Sequence, residues 1–437
     1  MSLFGLTIAH AGLARLAAGH PQLPLTDAEP GQRIEPGRPV RLRSAEDDFL
    51  GVGVCDPENQ LIRVWDLAEH RDLGASFFRT RVRRALGLRQ TLGLAREGEA
   101  YRLVNGEGDG LSGLSMDVYG AFAVVSALSR GLSGHARLLA EAARVELAAV
   151  GLGLRGVVLK IRSKAGNADA DAAAAEPGSA RKGAASATAP PASSGGGPVK
   201  DVVLGEEPPA KLRVLEGGIP YEIHLRGGYN VGLFTDMREH RAGLPRFVRG
   251  ARVLNTFAYT GSLSLAAARG GARAVTSVDL AAGPLAWARE NFRLSGLDPE
   301  APHLRWEVCD VFKFLERERA AAREDPRREP YDVVILDPPT VSGARATSWA
   351  QKRDYPQLIA AAAGLMPGGG HLWISSNTHG GPGIMKHAEA GLKLARRRGA
   401  VLELGGLPPD YPTPISWPSA RYLEVCQLRV WPADEIG

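Results

Sequence analysis

Cysteine is scarce in this sequence, with only Cys55, Cys309 and Cys426 among 437 residues. Their wide separation provides neither a disulfide framework nor the ligand spacing of a zinc cluster, so we expect no metal site and no redox chemistry. Long apolar runs are absent too: stretches such as 333–336 and 360–365 are far shorter than the ~20 residues of a membrane span. The first residues also lack the basic start of a secretory leader. We therefore expect a cytoplasmic protein that does not enter a membrane.

The bulk composition is that of a folded protein with several domains. Hydrophobic residues make up 44% of the chain and charged residues 23%, which excludes a chain that is disordered throughout. A length of 437 residues suggests about two to three domains. The net charge of +5 and the pI near 9.1 permit a polyanionic partner without requiring one.

Two segments with different patterns precede the last part of the chain. Residues 1–75 contain short strands between turns and predict a small β domain. Residues 75–94 have apolar side chains at helical spacing, which predicts a connecting helix. Strand patterns around a second helix follow up to residue 230, and they predict that residues 76–230 form this connector and a central α+β domain. The connector carries four arginines between positions 79 and 84. We favour a solvated face over a dedicated RNA contact, because runs of charge usually face water.

An unusual composition interrupts the central domain at 163–198. These residues are mostly Ala, Ser, Gly and Pro, with almost no large apolar side chain. Such a segment buries too little apolar surface to offset the entropy lost on ordering. The sequence therefore predicts a disordered insertion here, after which strand patterns resume at 212–215 and 221–225.

From position 252 onward, apolar strand-like segments alternate with helix-like segments. Four such pairs follow one another, and residues 371–375 and 422–430 supply later strands. Alternating units of this length predict a parallel, doubly wound sheet with helices on both faces. We assign this α/β domain to residues 231–437.

The residues that follow these strands are the first candidates for a binding site, since ligands bind beyond the carboxyl ends of the strands in such sheets. The first strand leads into a turn whose only glycine is Gly261; it is no GxGxxG phosphate loop, which disfavours a dinucleotide. The next three strands end at Asp279, Asp310 and Asp337. One aspartate after a strand is more often a helix cap, but three in succession favour S-adenosylmethionine, with Asp279 on the ribose hydroxyls and Asp310 at the adenine amino group.

The most specific short motif is Asp337-Pro338-Pro339-Thr340. Two consecutive prolines hold the backbone extended and withhold N–H donors. Such a loop can present carbonyl groups and a carboxylate beside a methyl donor, where a planar base can enter. The alternative is a loop that is merely rigid, and the aspartates at the neighbouring strand ends disfavour it.

Longer motifs are spread over nearly the whole chain: Gly19-His20-Pro21, the stretch 101–111, Met116-Asp117-Val118-Tyr119, Gly232-Leu233-Phe234-Thr235-Asp236 with Arg238, and Trp287-Ala288-Arg289-Glu290-Asn291. In these motifs the chain resembles the ribosomal RNA large-subunit methyltransferases. The resemblance implies a Rossmann-like class I methyltransferase domain, a PUA-like RNA-binding domain at the N-terminus, and S-adenosylmethionine as methyl donor. It also implies ribosomal RNA, 23S rRNA in particular, as the substrate.

The strand-end argument and the resemblance together give two sets of candidate site residues. The catalytic set that would position the base is Asp337, Pro338, Pro339, Thr340 and Asn377. The set that would bind S-adenosylmethionine is Phe234, Asp236, Arg238, Asn255, Phe257, Tyr259, Thr260, Gly261, Asp279 and Asp310.

Two branches of this family compete, and cysteine separates them. The three-domain layout and the segment 411–423 resemble the branch that methylates cytosine C5, whereas the catalytic motifs resemble the branch that methylates guanine N7. Methylation at C5 normally needs a cysteine thiolate that adds to C6 of the base. Neither the loop at Asp337 nor the loop Ser375-Ser376-Asn377 contains cysteine. Guanine N7 has a free lone pair, so we favour guanine N7 slightly over cytosine C5.

Two other classes of function are weighed against this one. A noncatalytic RNA-binding or ribosome-assembly factor would keep the fold without turnover, but the three strand-end aspartates disfavour it. A methyltransferase for a small molecule or a protein would use the same fold, but it would leave the N-terminal β domain unexplained. A homodimer is compatible with the sequence.

Overall fold

The computed structural model describes residues 3–70, 72–162, 200–228, 230–339, 341–344, 347–378 and 382–433. The insertion expected at 163–198 and the candidate residue Thr340 lie outside the described residues. Within the described ranges, no helix is both long enough and apolar enough to cross a membrane.

The N-terminal unit is a five-stranded sheet in the order β1-β3-β4-β5-β2, with β1 parallel to β3 and the other pairs antiparallel. Its elements are β1 (Phe4–Thr7), α1 (His10–Ala17), β2 (Gln22–Pro24), β3 (Pro39–Arg43), β4 (Phe49–Asp56) and β5 (Leu61–Asp66). The strand patterns of the sequence predicted the three longest strands, β3, β4 and β5. It did not predict β1 and β2, since runs of four and three residues are too short to show a period.

The central unit is a five-stranded sheet in the order β10-β9-β8-β7-β6, with two helices that pack together. Its elements are α2 (Ala75–Thr91), β6 (Ala100–Asn105), β7 (Leu114–Tyr119), β8 (Phe122–Ala127), α3 (Ser133–Ala148), β9 (Gly156–Ile161) and β10 (Lys200–Gly205). The antiparallel register pairs Ile161 with Lys200. The described chain therefore stops and resumes at neighbouring positions on either side of the expected insertion.

Three of the four arginines between positions 79 and 84 of α2 pair with acidic residues of the protein itself. Glu146 on α3 accepts hydrogen bonds from both Arg79 and Arg83, and Arg81 forms an ion pair with Asp66 at the end of β5. The pairs with Glu146 join α2 to α3 within the central unit, and the pair with Asp66 joins α2 to the N-terminal unit. The structure thus favours the connector interpretation of this helix over a dedicated RNA contact.

The C-terminal unit contains a seven-stranded sheet with helices on both faces, and it is grouped here with a hairpin at 212–223 that the sequence analysis assigned to the central domain. Its elements are β11 (Leu212–Glu216), β12 (Ile219–Ile223), α4 (Arg238–Gly243), α5 (Pro245–Val248), β13 (Arg252–Thr256), α6 (Ser262–Arg269), β14 (Ala274–Asp279), α7 (Ala282–Leu294), β15 (Leu304–Val308), α8 (Val311–Glu324), β16 (Val333–Leu336), β17 (Val341–Ala344), β18 (Thr347–Ala350), α9 (Gln351–Ala363), β19 (Gly370–Ser376), α10 (Ile384–Leu394), β20 (Gly399–Gly405) and β21 (Glu424–Val430).

The strand order β15-β14-β13-β16-β19-β21-β20 locates the cleft. The first five strands are parallel, and β21 and β20 are antiparallel to their neighbours. From β13 the chain moves outward through β14 to β15, and then returns to place β16 on the other side of β13. This reversal between β13 and β16 opens a crevice beyond their carboxyl ends, where ligands bind in folds of this type.

Burial on both faces explains the near-continuous apolar strands of this sheet. Val334 and Leu336 of β16 lie in one hydrophobic cluster with α8, α9 and α10. Val333 and Ile335 lie in a second cluster with α5 and α6 on the opposite face. A third cluster joins Tyr119 of the central unit to the hairpin and to α7. The central and C-terminal units therefore share part of their core.

Candidate active site

The turn that follows β13 has an unusual backbone. Phe257 and Tyr259 adopt left-handed conformations, with φ values of 54° and 48°, and Gly261 has a φ of 73°. Non-glycine residues rarely adopt such values, and those that do are concentrated at ligand sites. A Cβ atom on Gly261 would approach the Cβ of Ala288 to 2.6 Å, so glycine allows α6 to begin this close to α7. The result is a tight bend that lies against the end of β14.

Asp279 accepts backbone hydrogen bonds on both of its carboxylate oxygens. The N–H of Tyr259 donates to Oδ2 at 2.8 Å, and the N–H of Ala281 donates to Oδ1 at 3.0 Å. Burial raises the pKa of Asp279 above its ordinary value, while these hydrogen bonds oppose the rise. Each oxygen can accept one further hydrogen bond, which is what two neighbouring ribose hydroxyls require. The residues present therefore fit the S-adenosylmethionine that the sequence predicts.

Other residues of the predicted cofactor set lie around the same turn. The ring of Phe234, which is 46% exposed, lies 5.5 Å from the ring of Tyr259, measured between centroids. Thr260 donates from its hydroxyl to the carbonyl of Gly232 at 2.5 Å. The structure thus brings Phe234, Tyr259, Thr260 and Asp279 together, and it leaves an aromatic face open beside the carboxylate.

Three residues of the predicted cofactor set have partners inside the protein. Asn255 is buried below the turn, and its Nδ2 donates to Ser264 Oγ at 2.8 Å. Asp310 caps α8 by accepting from the N–H of Lys313 at 3.1 Å. Arg238 forms a buried ion pair with Asp410. The contacts found for these three are structural, and their roles toward S-adenosylmethionine stay predictions.

Asp337 lies at the carboxyl end of β16, on the other side of the crevice from the turn. The Ser375 hydroxyl donates a hydrogen bond to its Oδ1. Burial raises the pKa of Asp337 to about 6, with the nearby Asp236 adding to the rise, while the Ser375 hydrogen bond and Arg241 oppose it. Asp236 in turn accepts from the hydroxyl of Tyr422 at 2.7 Å. Two carboxylates thus lie on this side of the site.

The remaining members of the predicted catalytic set share this edge of the sheet. Pro338 is buried and Pro339 is partly buried directly after Asp337. Asn377 follows β19 and is exposed. Because β16 and β19 are parallel neighbours, their carboxyl ends place Asp337 and Asn377 on the same side of the sheet.

A buried tyrosine that the sequence analysis did not single out as a site residue joins these two strand ends. The Tyr355 hydroxyl accepts from the N–H of Ser375 at 3.1 Å, and it lies 2.6 Å from the Ser375 carbonyl and 3.1 Å from the Leu336 carbonyl. The backbone pairing of β16 and β19 ends at Leu336 and Ile374, so the Tyr355 hydroxyl connects the two strands just beyond their last backbone pair. The helical pattern around Tyr355 predicts that its ring is buried, but it does not predict which backbone groups the hydroxyl contacts.

Comparisons with known proteins agree with this architecture. Residues 200–412 match the family model of S-adenosylmethionine-dependent methyltransferases, and residues 6–68 match that of PUA-like domains. The crystal structure of SMU.776 complexed with SAH superimposes with a TM-score of 0.79 and 25% identity, over 98% of this chain and 100% of that one.

Similar proteins from bacteria match over almost their whole length. The ribosomal RNA large subunit methyltransferase I of Shewanella denitrificans is 30% identical over 409 residues, which cover 92% of each chain. The protein of the same name from Photobacterium profundum is 30% identical over 398 residues, which cover 90% of each chain. The chain therefore belongs to the ribosomal RNA large-subunit methyltransferase family and is an S-adenosylmethionine-dependent methyltransferase of the class I fold with an N-terminal PUA-like domain.

Proposed function

We propose that the protein methylates N7 of a guanine in the 23S ribosomal RNA of the large subunit, in the cytoplasm. The relatives described above carry names that assign them to the large-subunit RNA, and they match this chain from the PUA-like domain to the catalytic domain. The choice of guanine N7 over cytosine C5 rests on the surroundings of the cysteines.

None of the three cysteines is suited to act as a nucleophile near Asp337. Cys55 lies in the N-terminal sheet and Cys426 in the core beside Met385, and burial raises the pKa of both thiols to about 11. Such thiols are protonated at neutral pH and do not attack a base. Cys309 follows β15, three strands away from β16, which corresponds to about 14 Å at the usual strand spacing. Direct attack by the lone pair of guanine N7 requires no thiolate.

The reaction would then depend on positioning and charge. S-adenosylmethionine supplies an electrophilic methyl group. Asp279 would hold the ribose hydroxyls, while Asp337 and Asn377 would bind the base so that N7 faces the methyl carbon. The carboxylates of Asp337 and Asp236 would stabilise the positive charge that develops on the purine ring. Pro338 and Pro339 offer no N–H group that would compete for the lone pair of N7.

The product of the reaction tests the proposal. Unmodified 23S rRNA made by transcription, incubated with the protein and S-adenosylmethionine, should yield 7-methylguanosine by nucleoside mass spectrometry. The methylated strand should break with aniline after borohydride treatment, whereas 5-methylcytidine survives both reagents. Cys309→Ser and Cys426→Ala variants that fold should keep turnover. Recovery of 5-methylcytidine, or loss of turnover in a folded cysteine variant, would contradict guanine N7 methylation. RNA without any added methyl group would favour the noncatalytic alternative.

A further inference from the structure

A buried amide without a hydrogen-bond partner lies at the catalytic edge of the sheet. Gln351, the first residue of α9, has only 2% of its surface exposed. Its Oε1 accepts from the hydroxyls of Ser376 and Thr378. Its Nε2 has no partner among the residues that the structure describes. A buried donor left unpaired destabilises the fold, so an acceptor that arrives during the reaction is a physical reason to keep it there.

The position of Gln351 follows from the direction of α9. This helix runs from the carboxyl edge of the sheet back toward the amino edge, since it connects the end of β16, through the hairpin of β17 and β18, to the start of β19. Gln351 and Tyr355 are four residues apart and therefore share a face of the helix. Tyr355 joins the ends of β16 and β19. Gln351 lies about 6 Å farther along the helix, beyond those ends, where it contacts the residues on either side of Asn377.

The hydrogen-bonding character of this site distinguishes the bases. In the orientation that its amide adopts here, Oε1 is occupied by the two hydroxyls, and Gln351 offers its Nε2 donor. Guanine carries an acceptor, O6, beside N7, and uracil carries an acceptor, O4, beside C5. Cytosine carries an amino group beside C5, and adenine carries an amino group beside N7. A donor here therefore matches guanine and uracil. With cytosine or adenine, the N–H of Gln351 would face the N–H of the base amino group.

We propose that Gln351 reads the target base, with Nε2 donating a hydrogen bond to the ring carbonyl beside the methylated atom, O6 in the case of guanine. The inference rests on the proposed function, since it concerns the base that enters the same cleft. It adds a specificity-determining residue to the site that contains Asp337 and Asn377.

Substitutions at two glutamines of the same helix provide the experiment. Gln351→Met keeps the size and removes the donor, and Gln351→Glu replaces the donor with an acceptor. Gln357→Glu, at an exposed position of α9, is the matched control. We expect Gln351→Met to lower kcat/KM for the unmodified 23S rRNA transcript about 10- to 100-fold and Gln351→Glu to lower it more. Affinity for S-adenosylmethionine, measured by calorimetry, should stay within about twofold for all three variants because the cofactor side of the cleft is unchanged.

A second substrate separates base reading from a merely structural role. Once the methylated guanosine is mapped in the wild-type product, a transcript with adenosine at that position keeps N7 but replaces O6 with an amino group. Gln351→Glu should lower the guanine-to-adenine preference at least tenfold, because its carboxylate can accept from that amino group. Unchanged rates for Gln351→Met, or equal losses on both transcripts, would overturn the inference. A wild-type product of 5-methylcytidine would overturn both the proposed function and the inference, whereas either of those two results with a product of 7-methylguanosine would overturn the inference alone.

Discussion

Asp279, Asp310 and Asp337 each follow a parallel strand, but their partners give them different chemistry. Asp279 accepts two backbone N–H groups and Asp310 caps a helix, whereas Asp337 accepts from a side-chain hydroxyl that lies 38 positions away in the chain. The sequence could place all three at the cleft because each follows a strand-like segment. It could not identify Ser375 as a partner, since that contact depends on the neighbouring positions of β16 and β19.

The raised pKa of Asp337 predicts the pH dependence of the reaction. Burial raises this pKa to about 6, so the carboxylate that binds the base is mostly ionised only above that pH. We expect kcat/KM for the RNA to rise with pH through about 6 and then level off. Ser375→Ala should move the midpoint to higher pH, because the hydrogen bond of Ser375 favours the charged form. Asp337→Asn should lower kcat/KM and abolish this midpoint. A pH profile of Asp337→Asn that keeps the midpoint would assign it to another group.

At the scale of elements, the sequence predicted the central strands of the C-terminal sheet better than it predicted the segments between them. The apolar runs at 253–257, 274–279, 304–309 and 333–336 predicted β13, β14, β15 and β16 within about one residue, since these strands lie in the sheet between layers of helices. The hairpin of β17 and β18 and the edge strand β20 were not predicted. Five of the seven residues of β20 are exposed, and all five are hydrophobic or small without an alternating pattern. The place of β20 at the sheet edge therefore depends on its pairing with β21 rather than on its own sequence.

The link that Tyr355 makes between β16 and β19 can be tested by removing one oxygen. Tyr355→Phe keeps the ring in the core but leaves the Ser375 N–H and nearby carbonyls without their partner, which should cost about 1–3 kcal/mol of unfolding free energy. The strand ends would separate, so kcat should fall about tenfold while the KM for S-adenosylmethionine stays nearly constant. Tyr331→Phe is the control, since this buried hydroxyl lies at the amino end of β16. An equal fall in kcat for both variants would mean a general loss of packing.

At the scale of the whole molecule, one buried carboxylate joins the central and C-terminal units. Asp410 accepts from two nitrogens of Arg238 and from the backbone N–H of Arg102, and its own carbonyl accepts from Arg89. These partners are 172 to 321 positions away along the chain. The sequence could identify the three units from their patterns. It could not predict this junction, because the arginines involved look like ordinary charged residues until the fold brings them together.

Removing the Asp410 carboxylate should weaken the whole protein rather than one site. The side chain of Asp410 is fully buried, with 0% exposed, so Asp410→Ala leaves the charge of Arg238 buried without its partner. Loss of one member of a buried ion pair costs about 3–5 kcal/mol. The exposed pair of Glu403 and Arg246 is a matched control, for which Glu403→Ala should cost about 0–1 kcal/mol. Denaturant unfolding measures both values. Similar small losses of unfolding free energy for the two variants would contradict a stabilising role of Asp410. They would mean that solvent reaches Arg238 and that the shared hydrophobic cluster alone holds the two units together.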